Sequence, residues 1–142
     1  MNFSIRPAAQ EDVPAMHRLR LSVRANRLAD AAKVTERCYL PYVDAGAAWV
    51  AERNGEILGF AALDAGRASL WALFVAPEAE GEGVGGALHR RVICQAAKSG
   101  IARLSLTTSP GTRAEAFYRK RGWIAAGATA DGEVGLERDT SA

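Results

Sequence analysis

The stretch that most constrains this chain runs from Leu70 to His89 and reads LWALFVAPEAEGEGVGGALH. Six apolar residues from Leu70 to Val75 suit a buried strand, and Pro77 ends it. Glycines follow at 81, 83, 85 and 86, and then Val84, Leu88, Val92 and Ala96 recur at the interval of a helix face. A helix start leaves several backbone N–H groups without internal acceptors and carries partial positive charge. With so few side chains in the way, an anion could approach those groups closely. The junction therefore predicts a phosphate cradle.

Two other phosphate loops are disfavoured. Gly81, Gly83 and Gly86 match the G-x-G-x-x-G spacing of dinucleotide sites, which follows its strand directly and wants an acidic residue about 20 positions on. Here five residues separate Val75 from Gly81, and Ser99 to Ser109 contains no Asp or Glu. No Lys-Ser/Thr pair follows the glycines, so the nucleoside-triphosphate loop does not fit either. The plain alternative, a Gly-rich turn that lets a helix pack closely on a strand, accounts poorly for four glycines at one junction.

The rest of the chain reads as one domain, residues 1–138, with a loose tail over 139–142. Asn2 to Arg6 alternates like a short strand ended by Pro7, and Glu11 and Asp12 open a helix with Pro14 in its first turn. Val13, Met16, Leu19 or Arg20, and Val23 mark its buried stripe. Thr35 and Glu36 cap a second helix through Cys38, Leu40 and Val43. Asn54-Gly55 is a hairpin turn between strands at 47–53 and 56–64, and a third strand spans 67–75. After the Gly loop and its helix come a strand at 101–107, a helix from the Thr112 cap to Arg121, and strands at 123–128 and 133–138. The order β-α-α-β-β-β-α-β-α-β-β predicts an α/β layered domain with a mixed, mostly antiparallel sheet.

That stretch and that order resemble the GNAT N-acetyltransferases. Their motif A runs Val-x-Pro and then Arg/Gln-x-x-Gly-x-Gly/Ala; here it reads Val75-Ala76-Pro77 and Glu80-Gly81-Glu82-Gly83-Val84-Gly85. Glu80 departs from the pattern, and a carboxylate facing a diphosphate repels it. Glu80 is therefore expected to turn to solvent. Ala114, Phe117, Tyr118, Gly122 and Trp123 resemble motif B. There the resemblance implies that Tyr118 is the general acid that protonates the leaving coenzyme thiolate. Gly111 stands where many members place Asn, and backbone groups of the Pro110-Gly111 turn, or the hydroxyls of Thr108, Ser109 and Thr112, are the expected substitutes.

The resemblance implies the GNAT fold and acetyl-CoA as cosubstrate, with direct acetyl transfer to a primary amine of a small molecule or peptide. Leu73 would offer its N–H to the thioester carbonyl as an oxyanion donor. Leu73, Phe74 and Val75 would line the pantetheine arm, and Gly81, Glu82, Gly83, Val84, Gly85 and Gly86 would hold the diphosphate. Gly111 completes the expected coenzyme site. Arg24, Asn26 and Arg27 lie in the segment that forms one acceptor wall in the family, and Arg suits carboxylate groups. A base for the incoming ammonium has no clear candidate among Glu36, Glu52 and Asp64.

Composition narrows the remaining classes. A net charge of +2 with dispersed basic residues argues against a nucleic-acid partner. The clusters His89-Arg90-Arg91 and Arg119-Lys120-Arg121 read as solvated helix faces or as flanks of an anionic ligand. Cys38 and Cys94 share no metal-type spacing and read as two free thiols, with no metal expected. No apolar run suits a signal or a membrane span, so a cytoplasmic protein is expected. A homodimer stays open. The alternatives are a non-catalytic coenzyme A-binding sensor or interaction module and an aminoacyl-tRNA acetyltransferase.

Overall fold

A computed structural model describes residues 2–23, 34–129 and 132–141. Seven strands form one sheet in the order β1-β2-β3-β4-β5-β7-β6. They are β1 (Ser4–Pro7), β2 (Ala48–Arg53), β3 (Glu56–Asp64), β4 (Ser69–Val75), β5 (Arg103–Thr108), β6 (Ile124–Ala128) and β7 (Val134–Asp139). Among the described residues four helices join them: α1 (Val13–Ser22), α2 (Leu40–Asp44), α3 (Val84–Lys98) and α4 (Arg113–Lys120). This is the mixed, mostly antiparallel α/β layering that the element order predicted. All neighbours pair antiparallel except β4 and β5, which are parallel and joined by the α3 crossover.

Local chemistry explains most of the boundaries. Asn54 and Gly55 both adopt positive φ, as a tight hairpin turn requires. The Thr112 side chain accepts the Glu115 N–H and starts α4. Pro7 belongs to β1 instead of ending it, because β1 is an edge strand and the ladder loses nothing there. At its start β4 is shorter than expected, since residues Ala65–Arg67 form a 3-10 turn capped by Asp64. The expected loose tail begins later than Arg138: β7 includes Asp139, and the buried Thr140 donates its hydroxyl to the Ile101 carbonyl at 2.5 Å.

The core lies on both faces of β2, β3 and β4. Val84, Leu88, Val92 and Ala96 of α3 are all buried, as their spacing predicts. Gly59 of β3 lets α3 approach closely, because a Cβ there would stand 3.0 Å from Val84 and 3.1 Å from Leu88. In α1, Val13, Met16, Leu19 and also Arg20 are buried, and Val23 is half-buried at the cap. The second helical segment differs from the expected stripe. It opens as a 3-10 turn over Glu36–Tyr39, so its period is tighter and Tyr39, not Cys38, Leu40 or Val43, is the fully buried side chain. Among the described residues, no helix is long and apolar enough to cross a membrane.

Candidate active site

β4 faces two different neighbours. Toward β3 it is laddered from Ser69 to Val75, with a bulge at Trp71 between the pairs Ala62–Ala72 and Leu63–Leu70. Toward β5 only Ser69 pairs, with Ser105, next to a bond from the Ser105 N–H to the Ala68 carbonyl. Beyond that point the two parallel strands separate, and the β4 edge from Trp71 to Val75 has no strand partner on its β5 side. Leu73, Phe74 and Val75 all lie on this open edge.

The Gly loop closes the top of the notch. Gly83 has φ +89° and caps α3, a left-handed conformation that a side chain would strain. The first bond into the helix runs from the Ala87 N–H to the Gly83 carbonyl at 3.1 Å. The N–H groups of Val84, Gly85 and Gly86 therefore lack intrahelical acceptors. Gly85 is bare for a second reason: a Cβ there would stand 3.0 Å from the Phe117 ring and 3.5 Å from Val75. Phe117, from α4, thus walls the junction between the Gly loop and the β4 edge. This is a strand edge beside an anion cradle, and it suits an extended ligand with a phosphorylated end.

α4 places Tyr118 below Phe117. Its ring packs edge-on against Phe117 and Trp123, and burial pushes its phenol above the ordinary value of 10. Tyr118 therefore stays protonated across the physiological range. Trp123 donates its indole N–H to His89 Nε2 at 2.9 Å, which ties the start of β6 to α3. His89 is buried and lowered to about 4, first by burial and then by Arg138, Arg121 and Arg90. It is a structural acceptor.

The acetyltransferase (GNAT) family model matches residues 13–123, which spans α1 to the start of β6. The chain belongs to the GNAT acetyltransferase family. Its members are acyltransferases. Among solved structures, Ard1 from Thermoplasma volcanium superposes with a TM-score of 0.81 at 16% identity, covering 98% of each chain. The ribosomal-protein-S18-alanine N-acetyltransferase from Escherichia coli gives 0.75 at 22% identity, covering 99% of this chain and 95% of that one. PaiA N-acetyltransferase from Thermoplasma acidophilum, in complex with coenzyme A, gives 0.70 at 17% identity over 98% and 99%. These likenesses establish the fold. No match was found among curated proteins.

Several side chains of this GNAT domain make contacts that the sequence did not suggest. Glu80 turns to solvent as expected, and its exposed carboxylate also forms an ion pair with Arg113 of α4 at 2.9 Å. Glu82 likewise pairs with Arg53, at the end of β2, at 2.6 Å. The Gly111 N–H donates to the Glu115 carboxylate at 2.7 Å, and the Ser109 and Thr112 hydroxyls bond to Glu133 and to the Ser109 carbonyl. Of the groups expected to replace the missing Asn, the Gly111 N–H and the Thr112 hydroxyl hold the α4 turn and the Ser109 hydroxyl holds Glu133. Arg119 pairs with Glu115, whereas Arg121 stacks 3.8 Å over Phe117 and reaches the first turn of α3 beside Gly86. Arg24, Asn26 and Arg27 lie outside the described residues.

Two features had no clear signal in the sequence. Arg20 is buried on α1 with its guanidinium 4.9 Å from the ring centres of both Trp71 and Phe74. Trp71, the bulge residue, also stacks on Tyr42 at 4.5 Å. An aromatic and cationic wall thus covers the face of β4 toward α1. Of the possible bases, Glu52 is paired to Arg6 at 3.0 Å, and Asp64 holds the β3–β4 turn. A depression of about 290 Å³ at the foot of the notch is lined by Ser69, Ser105, Thr107 and Glu137, and Glu137 is paired with Arg103.

Proposed function

We propose that this protein transfers the acetyl group of acetyl-CoA directly to a primary amine of a small molecule or peptide. The open β4 edge beside a bare helix start is the observation that carries the reading. The extended pantetheine arm fits that edge as a pseudo-strand, with Val75 and Phe74 beside it. The N–H groups of Gly81, Glu82, Gly83, Val84, Gly85 and Gly86 would take the diphosphate. The Leu73 N–H would polarise the thioester carbonyl. Gly111, its N–H engaged by Glu115, would contribute through its carbonyl. The coenzyme A in the PaiA structure and the ribosomal-protein alanine named for the Escherichia coli neighbour support the same assignment.

Tyr118 would donate to the sulfur as it leaves. A phenol held above 10 is a reliable donor but a weak acid beside a thiol, whose ordinary pKa is about 8.5. Its main service is therefore a hydrogen bond to the developing thiolate. Arg24, Asn26 and Arg27 would bound the acceptor. Glu52, Asp64 and Glu137 are each engaged by other groups and exposed Glu36 leaves the base unassigned; water in the notch, relayed by Ser105 and Thr107, would carry the ammonium proton away. A cytoplasmic setting and a single domain over 1–138 complete the proposal.

Thiol release from acetyl-CoA with a panel of amino acids, polyamines and peptides tests it, alongside calorimetry with coenzyme A. Turnover with at least one amine is expected. Coenzyme binding without any turnover would favour the sensor reading, and no binding would overturn the site.

A further inference from the structure

Glu80 is the residue that fits the cradle least. Its backbone precedes Gly81, and a free carboxylate there would face the diphosphate. The structure gives it a partner from across the notch, Arg113 Nη1 at 2.9 Å from its Oε1. We infer that Glu80 is a positioning residue that holds the Arg113 guanidinium against the coenzyme's diphosphate, so that Arg113 supplies the cation missing at position 80.

Three observations support this. First, the pair has little structural reason to exist: Arg113 is 88% exposed and Glu80 44%, and ion pairs in water at that exposure stabilise a fold weakly. Second, Arg113 is the first residue of α4, where the helix dipole disfavours a cation and Asp or Glu would serve the helix better. A nearby anion reverses that preference. Third, the arrangement recurs on the other flank, where Arg53 neutralises Glu82 at 2.6 Å. The two carboxylates that flank Gly81 are thus compensated, and Arg121 adds a further cation above Gly86. Cations from three other elements thus stand around a loop whose own side chains are acidic. Guanidinium groups favour phosphate because their donors match its oxygens in pairs.

The inference rests on the coenzyme reading above, and a double-variant cycle separates the two. Binding of coenzyme A, dephospho-coenzyme A and pantetheine would be measured by calorimetry for the unaltered protein, Arg113→Gln, Glu80→Gln and the double variant. Arg113→Gln should weaken both nucleotide ligands about tenfold, equivalent to about 1.4 kcal/mol, and leave pantetheine unchanged. Glu80→Gln should weaken coenzyme A about threefold in the unaltered background. In the Arg113→Gln background the same change should tighten it, because an uncompensated carboxylate is then removed. That reversal of sign is particular to a holding role.

Equal affinity of the unaltered protein and Arg113→Gln for dephospho-coenzyme A would overturn the inference. So would tightening by Glu80→Gln in both backgrounds, which would mark Glu80 as a simple repellent. Melting temperatures should match across all four proteins. Absence of coenzyme binding by the unaltered protein would overturn the coenzyme reading as well, an outcome distinct from either of these.

Discussion

On its β3 side, β4 is laddered along its whole length and backed by Gly59, Val84 and Leu88; on its β5 side it keeps one pair, Ser69 with Ser105. Both seams belong to one sheet, and the second is continuous beyond β5, where Arg103 to Thr108 pair fully with β7. Inside the sheet, away from its edge strands β1 and β6, the β4–β5 seam is thus where the described backbone is left unpaired. Unpaired strand groups invite another chain or an extended ligand. The contrast teaches that the open seam is built into the topology, since a parallel crossover through α3 sets the strands apart at the end where α3 begins. The closed seam provides rigidity, and the open one provides a place for chemistry.

The largest effect that would sharpen this contrast is catalytic. Tyr118→Phe removes the hydroxyl proposed to serve the open seam and should lower kcat by about 10²–10⁴-fold, the range for a lost general acid. Coenzyme A affinity should hardly move. An unchanged kcat would detach Tyr118 from the chemistry and leave the open seam as a binding slot alone.

Next in size is a change at the closed seam. A Cβ at Gly59 would stand 2.9 Å from the Phe74 carbonyl and 3.0 Å from Val84. Gly59→Ala should therefore overpack the α3–β3 contact and destabilise the protein by about 1–3 kcal/mol, read from urea unfolding. Coenzyme affinity should also fall, because Phe74 belongs to the edge that the ligand would use. A loss of stability with unaltered affinity would show that the two seams behave independently.

How far the sequence revealed this division depends on the range of the interactions. Asn54-Gly55, the Thr112 cap and the α3 stripe are local signals, and each appears where its residues predict. The Gly loop was legible for the same reason, since bare backbone at a strand-to-helix junction needs no distant partner. Glu80 is exposed as expected, but its pairing with Arg113 was not legible, because Arg113 is 33 positions away and only the fold brings them together. Gly111 shows a subtler limit: the turn was visible, but not that Glu115 would claim its N–H. Tyr39 escaped because a 3-10 start shifts the buried position away from the 3.6-residue period. Arg20 sits in a helical stripe, yet nothing local announces the two aromatic faces that receive it.

The smallest effect concerns the join between α3 and the start of β6, which His89 makes through Trp123. His89 is lowered to about 4 from 6.5 in the fold by burial and by Arg138, Arg121 and Arg90. Between those values the unfolded chain takes up a proton that the folded one refuses, so folding weakens as pH falls from about 6.5 toward 4. The loss should be about 1–2 kcal/mol, less than the full shift implies, since part of the field is screened. Asp12 responds in another window: its carboxyl is lowered by the hydrogen bond from Arg6, so its contribution is lost only as pH falls below 3.8. Urea midpoints measured from pH 7 to pH 4 would separate the two. His89→Gln should flatten the limb above pH 4 while lowering stability at pH 7, because the Trp123 contact is altered. If the limb keeps its slope in that variant, another group titrates there, and the join between α3 and β6 is not the acid-sensitive contact.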